Sequence, residues 1–83
     1  MRVEYKEKAL DQLEKLPRDL QKRITDKIDF YASKSDLLSF AKPLTGYNAH
    51  RFRIGDYRAI FEVNGDTLFV LLVVKREGAY RNL

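Results

Sequence analysis

Seven consecutive apolar residues, Leu68-Phe69-Val70-Leu71-Leu72-Val73-Val74, most constrain what this chain can fold into. Side chains alternate between the two faces of a strand, so a run that is apolar at both parities needs a cover on each side. Such a strand belongs inside a sheet, and the rest of an 83-residue chain has to supply its neighbours and its covers. Asn64-Gly65-Asp66 reverses the chain just before it, Asn-Gly being the strongest short hairpin signal. We expect this strand over Thr67–Lys75, an antiparallel neighbour over Tyr57–Val63 and, beyond a second reversal at Gly55-Asp56, a third strand over Tyr47–Ile54.

The first half of the chain has a different period. Arg2–Tyr5 alternates about Val3 and reads as a short strand. From about Glu7, Ala9, Leu10, Leu13 and Leu16 recur at helical spacing until Pro17, which cannot continue the hydrogen-bond ladder and suits the first turn of a new helix. Leu20, Ile24, Ile28 and Tyr31 form the stripe of that second helix, which runs to about Ser33. The helical hairpin covers one face of the sheet; the other cover falls to a partner or to the C-terminal tail folding back. Ser35–Thr45 is a connection anchored by Leu37, Leu38, Phe40 and Leu44, in which Lys42-Pro43 is expected to block regular structure. The fold class is therefore α+β, in the order β-α-α-β-β-β, with residues 1–83 forming a single domain.

Composition enters as a filter on function. There is no cysteine, which removes disulfides and thiolate metal sites and fits a reducing compartment. Met1-Arg2-Val3-Glu4-Tyr5 is too charged for a signal peptide and no apolar run reaches membrane-spanning length, so the expectation is a cytoplasmic protein with no membrane association. Residues 1–41 hold nine Lys/Arg against eight Asp/Glu, whereas residues 42–83 hold seven against four. The basic residues of the second half are mostly arginine, and arginine is the side chain of choice for phosphate recognition. This asymmetry suggests a polyanion footprint.

The footprint is concentrated between Gly46 and Arg58. On a strand, Phe52 and Ile54 take one face and Arg51 and Arg53 the other, while Arg58 follows at once on the returning strand. Strand neighbours lie about 5 Å apart, so Arg76 and Tyr80 beyond the last strand can join them. Guanidinium groups that clamp phosphates beside an aromatic stacking surface suit single-stranded RNA. Fixed cations also stabilise the charge that builds on a phosphate attacked by the neighbouring 2′-hydroxyl. The plainer alternative is a solvated rim, or an interface for an acidic protein segment. One histidine and no Ser-His-Asp set leave no conventional nucleophilic machinery, and His50 has no spaced ligand partner, so neither a metal nor a cofactor is expected. His50 shares the parity of Phe52, which aims it away from Arg51 and Arg53.

The element order, with Lys42-Pro43-Leu44-Thr45-Gly46, Arg51-Phe52-Arg53-Ile54-Gly55-Asp56-Tyr57-Arg58-Ala59-Ile60-Phe61 and Lys75-Arg76-Glu77-Gly78-Ala79-Tyr80-Arg81, resembles the RelE/ParE toxins of prokaryotic toxin–antitoxin systems over essentially the whole chain. The most specific part is Gly-Asp-Tyr-Arg in the hairpin combined with Arg-x3-Tyr near the end. The resemblance implies a metal-independent endoribonuclease, a RelE-like mRNA interferase. It would cut mRNA in the ribosomal A site, inhibit translation and be held inactive by a cognate antitoxin protein. Carried over, Arg58 stabilises the transition-state phosphate, Arg76 stabilises or protonates the leaving group, and Tyr80 stacks on or orients the substrate. Arg53 joins this catalytic set, and Arg51, Arg53, Lys42, Lys75 and Arg81 are the expected RNA-binding residues. Arg51 and Arg53 stand where RelE members carry lysines. Arginine does not release its proton, so the general base is open among Tyr80, a His50 turned inward by a bulge, and no strong base at all. The family's other branch, the ParE-type inhibitors of DNA gyrase, shares the fold; a non-catalytic RNA-binding module or a decayed toxin is a third reading.

Overall fold

The computed structural model describes residues 1–76. The element order is β1 (Arg2–Tyr5), α1 (Glu7–Glu14), α2 (Arg18–Ala32), a 3₁₀ turn (Leu37–Phe40), β2 (Ala41–Pro43), β3 (His50–Ile54), β4 (Tyr57–Asn64) and β5 (Thr67–Lys75). The strands form one mixed sheet in the order β1-β5-β4-β3-β2. β5 lies inside it, parallel to β1 and antiparallel to β4, as an all-apolar strand requires.

Both hairpins turn on Gly-Asp. Gly55 (φ +58°) and Gly65 (φ +64°) occupy the first loop positions with the only positive φ values of their turns, the arrangement of a type II′ turn. Asn64 is accordingly not a loop residue; it is the last paired residue of β4, opposite Thr67.

The α1–α2 hairpin packs on one face. Ala9, Leu13, Ile24, Ile28 and Ala32 meet Phe52, Ile54, Ala59, Phe61, Leu68, Val70 and Val73 there, with Leu37 beneath the 3₁₀ turn. Tyr31, Phe52 and Phe61 stack in a column, with ring centroids 4.5 and 4.1 Å apart. Leu10, at helical spacing with the buried residues, instead faces outward. The second face is covered in part by the chain itself: Leu44 and Ala49, on the loop joining β2 to β3, bury against Ile60, Leu72 and Val74. That loop is closed by the Leu44 N–H donating to the Ala49 carbonyl at 3.0 Å.

Two expectations are corrected. Lys42-Pro43 does not block regular structure: Ala41–Pro43 pairs with Phe52–His50 as an edge strand, where proline's missing N–H costs nothing if it faces outward. Its presence trims the next strand, which begins at His50 rather than Tyr47. The other finding is a β-bulge: Ile60 pairs with Leu72 but Phe61 with Val70, leaving Leu71 as the extra residue of β5. The bulge switches parity, so Val70 and Val73 both reach the helical face and Leu72 and Val74 the other. Past the bulge, where β1 has ended, the Val73 N–H donates to Oε1 of Gln12 on α1 at 2.7 Å.

Candidate nucleic-acid interface

Directly opposed residues of an antiparallel pair lie on the same face, so the register locates each cation. Lys42 opposes Arg51, and Arg53 opposes Arg58. Arg58 in turn opposes Val74, which belongs to the small core of Leu44, Ala49, Ile60 and Leu72. All four cations thus share the face away from the helices, beside that core. They converge on a cavity of about 130 Å³ lined by Phe40, Lys42, Arg51, Arg53 and Arg58.

Arg58 differs from the others in burial. Only 9% exposed, it donates from Nη1 to the Tyr57 carbonyl at 3.1 Å and to that of Gly55 at 3.5 Å. The turn that aims Arg58 therefore also fixes its guanidinium. Arg53 opposite is exposed. Arg58 is thus the buried member, and Arg53 the exposed member, of a directly opposed pair.

Arg76 follows β5 immediately, and its N–H donates to the Asp56 carbonyl at 2.9 Å, which ties it to the same hairpin turn. Its side chain is exposed and does not line the cavity. Lys75 opposes Tyr57, which packs against the helix-side core, so the register separates Lys75 from the arginine face. Tyr80 and Arg81 lie outside the described residues. His50 pairs regularly with Phe61, with ring centroids 5.8 Å apart. The bulge that could have turned it toward the arginines occurs in β5 instead. Among the described residues no group of three or more His, Cys, Asp and Glu side chains is placed to hold a metal ion, and no helix is long and apolar enough to cross a membrane. Phe40, absent from the sequence-based set, enters the cavity because the 3₁₀ turn delivers it beside β2. Nothing in its local pattern distinguished it from a core anchor.

An α-helical hairpin on one face of a small mixed sheet, with a cationic pocket on the other, defines an α+β protein whose candidate site is suited to anions. Comparison with known proteins agrees and narrows the class. Residues 3–80 match the family described as the ParE toxin of type II toxin–antitoxin systems. Toxin RelE3 of Methanocaldococcus jannaschii is 33% identical over 84 residues, covering 96% of either chain. The fold is similar to a chain of the RelB–RelE antitoxin–toxin complex from Methanococcus jannaschii, with a TM-score of 0.74 and 30% identity over 98% of this chain and 99% of that one. It is also similar to a chain of the archaeal RelE–RelB complex from Pyrococcus horikoshii, with a TM-score of 0.70 and 26% identity over 94% and 97%. This chain belongs to the RelE/ParE family of toxins of type II toxin–antitoxin systems.

Proposed function

We propose that the protein is a RelE-type toxin that cleaves mRNA in the ribosomal A site, without a metal ion, through its cationic pocket. The observation that carries this reading is Arg58: a guanidinium nearly removed from solvent, fixed by two backbone carbonyls and set opposite Arg53. A guanidinium held in place and largely removed from solvent suits a site where negative charge develops. In the reaction the 2′-oxygen forms a bond to the adjacent phosphorus, its proton leaves, and the bond to the 5′-oxygen breaks as that oxygen gains a proton. Arg58 and Arg53 stabilise the charge on the phosphoryl oxygens, Arg51 and Lys42 hold the neighbouring phosphates, and Arg76 stabilises the leaving oxygen. Tyr80 stacks on or orients the substrate. The rate rests on positioning the 2′-hydroxyl and on fixed charge rather than on a strong base.

The RelB–RelE complexes among its structural neighbours support a cognate antitoxin for this chain as well. An antitoxin segment with acidic residues and an apolar face would neutralise the pocket and extend the cover begun by Leu44 and Ala49. Binding then raises thermal stability by linkage.

Inducible expression with mapping of mRNA 5′ ends tests the reading. Codon-phased cuts on translated messages, lost in Arg58→Ala and Arg76→Ala, are the expected result. The family model is described by ParE toxins, which keeps a gyrase-type inhibitor as the second reading. Growth arrest with intact mRNA would establish that reading in place of the first.

A further inference from the structure

Strand β2 pairs with β3 only as far as Phe52, so the β3 edge is open from Arg53 to Gly55. Helix α2 passes beside this opening. Arg23 reaches it closely, its Nη2 lying 3.8 Å from where a side-chain carbon on Gly55 would stand. The result is a second cavity of about 320 Å³, lined by Arg23, Lys27, Arg53, Ile54 and Gly55. Its lining holds three cations and no carboxylate. The one ion pair formed by α2 joins Lys22 to Asp26 at 2.7 Å, so among the described residues Arg23, Lys27 and Arg53 have no acidic partner. Arg53 lines both cavities and bridges them.

The stripe continues. Arg23, Lys27 and Phe30 are spaced i, i+4 and i+7 and share one face of α2. Phe30 is 47% exposed, with the Lys27 and Lys34 ammonium groups 5.3 and 4.7 Å from its ring centroid. Cations followed by an exposed aromatic ring suit single-stranded nucleic acid, with Asp19 and Asp26 bordering the surface between Arg23 and Phe30.

We propose that the Arg23–Lys27–Arg53 cleft is a second phosphodiester site, which takes RNA backbone leaving the Arg58 pocket over the open β3 edge. This rests on the pocket being an RNA site. The site adds contacts on the helical side of the molecule, outside the pocket where the bond is cut, and Arg23 and Lys27 are positioning residues. The backbone it holds is that of the message, continuous with the strand in the pocket through Arg53.

The test uses a single-stranded oligoribonucleotide carrying 2′-O-methyl groups throughout, so that it cannot be cleaved. Binding is measured against salt concentration, free in one arm and loaded on ribosomes in the other. The doubly substituted Arg23→Gln, Lys27→Gln protein is compared with wild type and with Lys8→Gln, Lys15→Gln, which removes the same charge from α1 and the residue that caps its C-terminus. Losing two phosphate contacts makes the slope of log K against log salt shallower by about 1.4, at about 0.7 per contact on a single strand. A shallower slope in the free arm supports the proposal, whereas a change on ribosomes alone points to ribosomal RNA and overturns it. Slopes matching the α1 control in both arms overturn the proposal, as does a wild type that binds neither probe. An Arg23→Ala, Lys27→Ala pair with an unchanged melting curve replaces any variant that fails to fold. Wild-type cleavage of an unmodified message on ribosomes is read separately, so a protein without nuclease activity is recognised whatever the slopes show.

Discussion

Replacing Arg53 by glutamine should make the protein more stable and less active, and the size of both effects follows from its position. Arg53 lies directly opposite Arg58 across the β3–β4 ladder, and no hydrogen bond or ion pair of its own is lost on substitution among the described residues. At the roughly 5 Å between Cβ atoms of directly opposed residues, two unit charges repel by about 0.8 kcal/mol in water and about 3.3 kcal/mol at an effective dielectric constant of about 20. Arg53 is exposed, which places the pair near the lower figure, within the range of about 0.2–1 kcal/mol for opposed charges on a sheet. For a domain of this size a gain of about 1 kcal/mol raises Tm by roughly 4–8 °C. The repulsion is screened, since the Debye length falls from about 10 Å at 0.1 M salt to about 3 Å at 1 M. Urea unfolding of Arg53→Gln should therefore show a gain at low salt that vanishes at high salt. Message cleavage should fall by about 10², the scale for losing one preorganised charge at a developing anion. A loss of stability, or a gain that persists in 1 M salt, would refute the assignment of Arg53 to a strained functional pair.

Four further outcomes are expected. Phe52→Ala removes the middle ring of the Tyr31–Phe52–Phe61 column from a fully buried site and should cost about 3–5 kcal/mol in urea unfolding, a large share of a small domain's stability. Gln12→Leu orphans the Val73 N–H beyond the bulge and should cost about 1–3 kcal/mol, with Gln12→Glu recovering much of it. The Tyr5 hydroxyl is buried with no hydrogen-bond partner among the described residues, and burial, with the Asp29 carboxylate nearby, pushes its pKa up from 10.0 to about 12. Its folded pKa exceeds its unfolded one, so the neutral phenol favours the fold fully below pH 10 and that contribution is lost as pH rises through about 12; Tyr5→Phe should abolish this alkaline loss and leave stability below it unchanged or slightly higher. Lys42→Arg should retain message cleavage within a few-fold, because charge and positioning carry the rate; a collapse of cleavage at unchanged binding would refute that.

The sequence by itself determined the local elements and the turns between them. Helical spacing of Ala9, Leu13, Ile24 and Ile28, period-two alternation through Phe52 and Ile54, and glycine at the two Gly-Asp reversals are encoded within a few residues, because backbone sterics and side-chain direction act over that range. The face shared by Arg51 and Arg53 followed from the same alternation, whereas Arg58 joins it through the β3–β4 register. What the tertiary structure decided depends on pairing between distant segments. Pro43 is tolerated because Ala41–Pro43 is an edge strand of β3, and Lys42 enters the pocket only because it opposes Arg51. Lys75 is carried away from that face by its register with Tyr57, beyond a bulge at Leu71 that no alternation in an all-apolar run could reveal. Arg23 and Lys27 looked like ordinary charges on an amphipathic helix. They acquired a phosphate-sized cleft because α2 packs beside the one stretch of β3 that β2 leaves uncovered, a juxtaposition of elements some thirty residues apart that local sequence does not specify.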